Sequence, residues 1–185
     1  MWWARLLNVI TGILSPYVSP VVPTNFESIA TATLSSSGSI TFSSIPSTYT
    51  HLQFRAWTPT INNWVQIGVN GLTGANYTYH ELRGDGSSAS SSAGFNDAGL
   101  LALSQGSGSS SYGTVFITDI LDYANTNKYK TIRSLYGVDQ NGSGTVGLTS
   151  NLYKATTAIS SVTFYANYYS ASLLSGTKIA LYGVK

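Results

Sequence analysis

The chain contains no cysteine. Disulfides therefore contribute nothing to its stability, and zinc or iron sites built on cysteine are excluded. Charge is nearly as scarce. Lys, Arg, Asp and Glu together make up 9% of the residues, against about 25% in an average globular domain. The net charge is +2, too small and too scattered to form the basic stripe that binds nucleic acid. Only two histidines are present, His51 and His80, and neither lies in an H-E-x-x-H or G-x-S-x-G setting. A chain so poor in ionisable groups suits acid–base catalysis badly, and no catalytic residue, metal ligand or cofactor site is expected in it.

In place of charge the chain carries Gly, Ser, Thr, Asn and Tyr. It has 18 glycines and 13 tyrosines, and 43% of its residues are hydrophobic. Its 185 residues are enough for one domain with a small appendage. Tyrosine favours strands that are half buried, with the ring packed and the hydroxyl wet. From Phe26 onward, apolar residues recur with period two between turn clusters. Strands are predicted at 26–33, 39–42, 51–57, 64–69, 77–83, 114–121, 131–138, 144–148, 160–165 and 177–183. The first two flank Ser35-Ser36-Ser37-Gly38 and read as a hairpin. In 51–57, Leu52, Phe54 and Ala56 alternate with His51, Gln53, Arg55 and Trp57. In 77–83, Tyr77, Tyr79 and Glu81 share one face, and Thr78, His80 and Leu82 the other. The Ser-rich stretches 85–96 and 106–111 read as exposed loops. Many short strands without a helical stretch predict an all-β sandwich of jelly-roll type over 24–185.

Residues 1–23 follow a different pattern. Trp2, Trp3, Leu6, Leu7, Ile10, Ile13 and Leu14 recur at three- and four-residue steps, a helical apolar stripe that Ser15-Pro16 stops. Pro20 and Pro23 continue it as an extended tether. The stretch is too short to span a membrane, which takes about 20 apolar residues. Arg5 falls late and no A-x-A site follows, so it does not read as a signal peptide. It reads as a short helical or extended arm that anchors the domain in a groove on another protein. The plainer alternative is that it packs on its own domain. Burying its seven apolar side chains is worth on the order of 10 kcal/mol gross, less the cost of ordering.

The remaining candidates carry little chemistry. Asp119 and Asp122 are three residues apart and fall on opposite faces of a strand. Asp122 reads as the cap of a turn through Asn125 and Asn127. Asp85-Gly86-Ser87 lacks the further oxygen ligands of a calcium loop. Lys128, Lys130 and Arg133 read as a solvated strand entrance. Each His reads as a strand residue held by a backbone carbonyl. Trp57, Trp64, Tyr168 and Tyr169 are candidates for stacking on sugars or for a protein interface, as is Tyr165, although a sandwich core uses aromatics too.

Several strings resemble a known family. Ser44-Ile45-Pro46-Ser47-Thr48-Tyr49-Thr50-His51-Leu52, Tyr79-His80, the segment 84–89, Asp119-Ile120-Leu121-Asp122-Tyr123-Ala124-Asn125-Thr126-Asn127 with the residues through Thr131, and the segment 179–185 are similar to virion proteins of tailed bacteriophages infecting aquatic bacteria and cyanobacteria. The resemblance covers roughly 33–185, and the string around Asp122 is its most specific part. It implies a non-enzymatic β-module displayed on the particle exterior, as a capsid decoration (cement) protein or a tail-associated protein. The expected assembly is a homo-oligomer, a trimer by the habit of such proteins. The expected partner is the major capsid protein or a tail- or portal-associated protein, with no direct nucleic-acid or membrane contact. The alternative is a receptor- or glycan-binding module of a tail fibre.

Overall fold

A computed structural model describes residues 25–59, 64–72, 75–97, 101–105, 111–166 and 172–185. Among them the chain forms no helix. It forms twelve strands: β1 (Phe26–Thr33), β2 (Ile40–Phe42), β3 (His51–Pro59), β4 (Trp64–Val69), β5 (Tyr77–Gly84), β6 (Ala89–Asp97), β7 (Leu101–Gln105), β8 (Gly113–Ile120), β9 (Lys130–Asp139), β10 (Gly144–Tyr153), β11 (Val162–Ala166) and β12 (Lys178–Val184). They build two antiparallel sheets, one of eight strands in the order β1-β12-β3-β8-β9-β10-β5-β6 and one of four in the order β2-β11-β4-β7. The predicted β-sandwich is the observed fold. The arm 1–23, the stretch 106–110 and the pair Tyr168 and Tyr169 lie outside the described residues.

The sandwich is held where the two sheets meet. Phe164 of the small sheet lies 5.0 Å from Phe54 and 5.9 Å from Phe116 of the large one, ring centre to ring centre, and 6.4 Å from Phe42 beside it. Leu52, Ile67, Val162, Ile179 and Leu181 are fully buried around these rings. Each such side chain contributes about 1.5–3 kcal/mol relative to leaving it in water. The alternation read in β3 is the one observed: Leu52 and Phe54 are buried and Arg55 and Trp57 exposed.

Three expectations are corrected. The hairpin read over 26–42 does not form, because β1 pairs with β12 and β2 with β11, in different sheets. Alternation fixes which face a residue occupies but not which strand lies alongside. The loop read over 85–96 is largely a strand: β6 pairs along β5 at the edge of the large sheet, after a turn in which Asp85 Oδ1 accepts from the amides of Ser87 and Ser88, both at 2.8 Å. Lys130 is not solvated. It opens β9 on the inner face, fully buried, and its Nζ donates to the carbonyls of Lys128 (3.1 Å) and Thr156 (2.7 Å). Burial holds its ammonium below the usual lysine range.

Candidate functional site

The large sheet is turned inside out along part of its width. A single row of cross-strand neighbours on its inner face runs Thr118, Ser134, Thr149, Glu81, and all four are buried. The row beside it on the outer face runs Ile117, Leu135, Leu148, Leu82, and these are 40%, 54%, 49% and 58% exposed. Polar groups inside and leucines outside invert the usual arrangement of an antiparallel sheet.

The buried row is satisfied from within. The hydroxyls of Thr118 and Ser134 lie 2.8 Å apart. Glu81 accepts from Ser92 Oγ at 3.0 Å and from the Tyr136 phenol. Burial and then the adjacent Glu81 carboxylate push the Tyr136 phenol well above its ordinary range, so it stays protonated as a donor. Buried polar groups without partners cost about 1–3 kcal/mol each, and this pairing removes that cost for the row.

The exposed row has no such closure. One step toward the β9–β10 turn, a second outer row runs Trp57, Val115, Gly137, Val146, Gly84, Ala89 across β3, β8, β9, β10, β5 and β6. Trp57 is 44% exposed. A Cβ on Gly113 would overlap its indole, so the ring lies flat across β8. Two shallow apolar hollows flank the diagonal made by Leu135 and Val146. One, of about 450 Å3, is floored by Gly137, and the other, of about 310 Å3, by Gly84. Monomeric proteins seldom leave a contiguous apolar face of this breadth in water, and such faces mark interaction surfaces.

A third outer row is polar: Gln53, Asp119, Arg133, Ser150, His80. Gln53 Nε2 donates to Asp119 Oδ1 at 2.9 Å, and Arg133 stands 3.9 Å from the other Asp119 oxygen. At the opposite end of the face an open groove of about 680 Å3 runs between the turns that follow β5 and β9. Its carboxylates are committed to those turns. Asp85 caps Ser87 and Ser88, and Asp139 accepts from the Asn141 amide at 2.9 Å.

The expected site residues are scattered. Trp57 stands on the outer face of the large sheet, whereas Trp64 belongs to β4 of the small sheet, with the Arg83 guanidinium 5.8 Å from its ring centre. The two do not form one stacking platform. Tyr165 is buried. The seven apolar residues of the arm, with Tyr168 and Tyr169, lie outside the described residues. Among the described residues no group of three or more His, Asp or Glu could hold a metal ion. The exposed leucines and valines were missed by sequence reasoning. Their signal is the dipeptides Glu81-Leu82, Ile117-Thr118, Ser134-Leu135 and Leu148-Thr149, which pair in register with the polar member always inward.

Around the Asp122 turn the strand ends at Ile120 and the chain takes a left-handed φ of 48° at Asp122. Lys128 pairs with the Asp122 carboxylate, and its hydrogen bond sets that carboxyl below its ordinary range. His51 Nδ1 accepts the Asp122 amide at 3.0 Å, rather than donating to a carbonyl as the sequence reading had it. Two other carboxyls are held low as well: Glu27, first by Lys185 and then by Tyr49, and Asp85, by the amides of Ser88 and Ser87. Each contributes stability above the ordinary carboxylate pKa of about 4, and loses it as pH falls through the depressed folded value. The melting temperature is therefore expected to be flat near neutrality and to drop below about pH 4. Asp122→Asn, which suits the left-handed backbone, is expected to shrink that drop. A melting temperature unchanged between pH 7 and pH 3 would contradict this.

Comparison of the chain with protein-family models, with curated proteins and with solved structures finds no match among any of the three.

Proposed function

We propose that this chain is a non-enzymatic structural protein of a tailed-bacteriophage virion. It is displayed on the particle exterior, where it decorates and bridges neighbouring subunits. The observation that carries this reading is the outer face of the large sheet, broad and shallow, with one row free of polar side chains across six strands and the next apolar across the central four. Surfaces that build subunit contacts have this shape, whereas small-molecule sites are concave with converging polar groups. The carboxylates Glu27, Glu81, Asp85, Asp119 and Asp122 support the same reading, since each is taken up in a separate local contact.

In this reading the division of labour follows the chain. Residues 1–23 dock the protein on a major capsid protein or on a tail- or portal-associated protein, and the sandwich supplies contacts between copies. Many weak docking events in one oligomer add through avidity. Removing residues 1–16 from the full chain is expected to leave a soluble body with unchanged strand content. Its co-sedimentation with phage particles is expected to fall at least about tenfold, as follows when about 1.4 kcal/mol or more of docking is lost. Undiminished particle binding by that truncation would overturn the docking role of the arm.

A further inference from the structure

We infer that the outer face of the large sheet is closed by a second copy of this chain, related by a two-fold axis that lies in the interface, nearly parallel to β9 and β10 and midway between them. The inference deepens the proposed structural role by naming the partner of the face, and it replaces the trimer suggested by family resemblance.

The argument comes from the order of side chains across the sheet. A two-fold axis in that position reverses strand order, so it lays β9 over the partner's β10, β8 over the partner's β5 and β3 over the partner's β6. The outer row that starts at Trp57 reads Trp57, Val115, Gly137, Val146, Gly84, Ala89. Read against its own reversal, Trp57 meets alanine, Val115 meets glycine and Gly137 meets valine. Every large residue faces a small one, which is the interdigitation that packed sheets need. The hollows floored by Gly137 and Gly84 are where Val146 and Val115 of the other copy would seat.

The next two rows obey the same reversal. Arg55, Ile117, Leu135, Leu148, Leu82, Ser91 places Ile117 over Leu82, Leu135 over Leu148 and Arg55 over serine. In the polar row Asp119 falls over His80, Arg133 over Ser150 and Gln53 over Ala93. No like charges oppose one another in any of the three rows. Six strands at about 4.8 Å and three rows at about 6.8 Å make a face of about 600 Å2 in projection. That approaches the roughly 800 Å2 that each partner buries in a standard specific interface. Closed two-fold dimers are also the commonest soluble assembly.

Sedimentation equilibrium of the full chain tests this. The expected mass is twice 19.7 kDa. Leu135→Glu is expected to give a folded monomer, because it sets a carboxylate against Leu148 of the other copy. The decisive pair is Gly84→Val and Val115→Ala. Residues 84 and 115 are separated by β9 and β10 within one chain, so they can compensate each other only across the interface. Gly84→Val fills the pocket for Val115 and is expected to weaken dimerisation at least about tenfold. A Cβ at Gly84 meets only the Ser88 carbonyl, at an ordinary 3.7 Å, so the variant should fold. Adding Val115→Ala is expected to restore affinity to within about threefold of the parent. A monomeric or trimeric parent, an indifferent Gly84→Val or a failure of Val115→Ala to rescue would each overturn the two-fold pairing. So would a monomer whose outer face is shielded from hydrogen exchange only while residues 1–16 are attached, since that would give the face to the arm. Each of these leaves particle docking, measured separately by co-sedimentation, standing or falling by itself.

Discussion

Phe164→Ala is expected to lower the free energy of unfolding by about 3–5 kcal/mol. Phe164 is fully buried and touches Phe42, Phe54 and Phe116, three rings that come from three different strands and both sheets. Removing its ring deletes the one aromatic that contacts all the others, and leaves a void that neither sheet can collapse into without breaking its own ladder. Equilibrium urea unfolding followed by tryptophan fluorescence gives the number. For a domain of this size the loss is a large fraction of the whole stability, which is about 5–15 kcal/mol. A cost below about 1 kcal/mol would mean that the sheets are not pinned together at this point. An unchanged m-value alongside the shifted midpoint would show that the fold itself is retained.

Gly147→Ala is expected to cost about 2–4 kcal/mol, an unusual penalty for adding one methyl group. Gly147 is paired with Tyr136 across β9 and β10, and a Cβ there would overlap the tyrosine ring at its phenol end. The backbone of Gly147 is not in the left-handed region, so the penalty is steric and electrostatic rather than conformational. The ring cannot swing outward, because Tyr136 is 2% exposed and packed in the core. If it moves, Glu81 loses its phenol donor while remaining 4% exposed. A buried carboxylate short of a donor accounts for about 1–3 kcal/mol of the total. The measurement is a double-mutant cycle by thermal or chemical unfolding. In a Tyr136→Leu background the same Gly147→Ala change should cost less than about 1 kcal/mol, because nothing remains for the methyl group to displace. Equal costs in both backgrounds would disconnect Gly147 from the buried row.

The legible part of the fold was the part where one face is wet and the other dry. β1 and β4 have the bounds that alternation predicted, and the faces of β3 and β5 are those read from Leu52 against Gln53 and from Glu81 against Leu82. β6 was illegible because an edge strand needs only one partner. Ser90, Ser91 and Ser92 form a ladder to β5 without any of the bulk that marks a strand in sequence. β7 opens on the unbroken apolar run Leu101-Ala102-Leu103 and so shows no alternation. The partners of β1 and β2 were illegible for a different reason: they lie 145 residues or more and about 120 residues away along the chain, as Thr33 with Lys178 and Thr41 with Thr163 show. The candidate surface was hidden by its own polarity. A reader who assigns leucines to the interior would slip β10 by one residue and place Leu148 where Thr149 is. Only the pairing of four strands, with Thr118, Ser134, Thr149 and Glu81 in one row, shows that the leucines face out.

The position of β12 between β1 and β3 governs when the molecule can exist at all. Among the described strands the twelfth in chain order is the one that both of those earlier strands need. Until the ribosome has released residues through Val184, β1 has no neighbour to pair with and one long edge of β3 stays bare. Until then the sheet keeps an unpaired edge, and pairings of such long sequence separation are slow to form. Losing those seven residues would leave β1 without a partner and the sheet open beside β3.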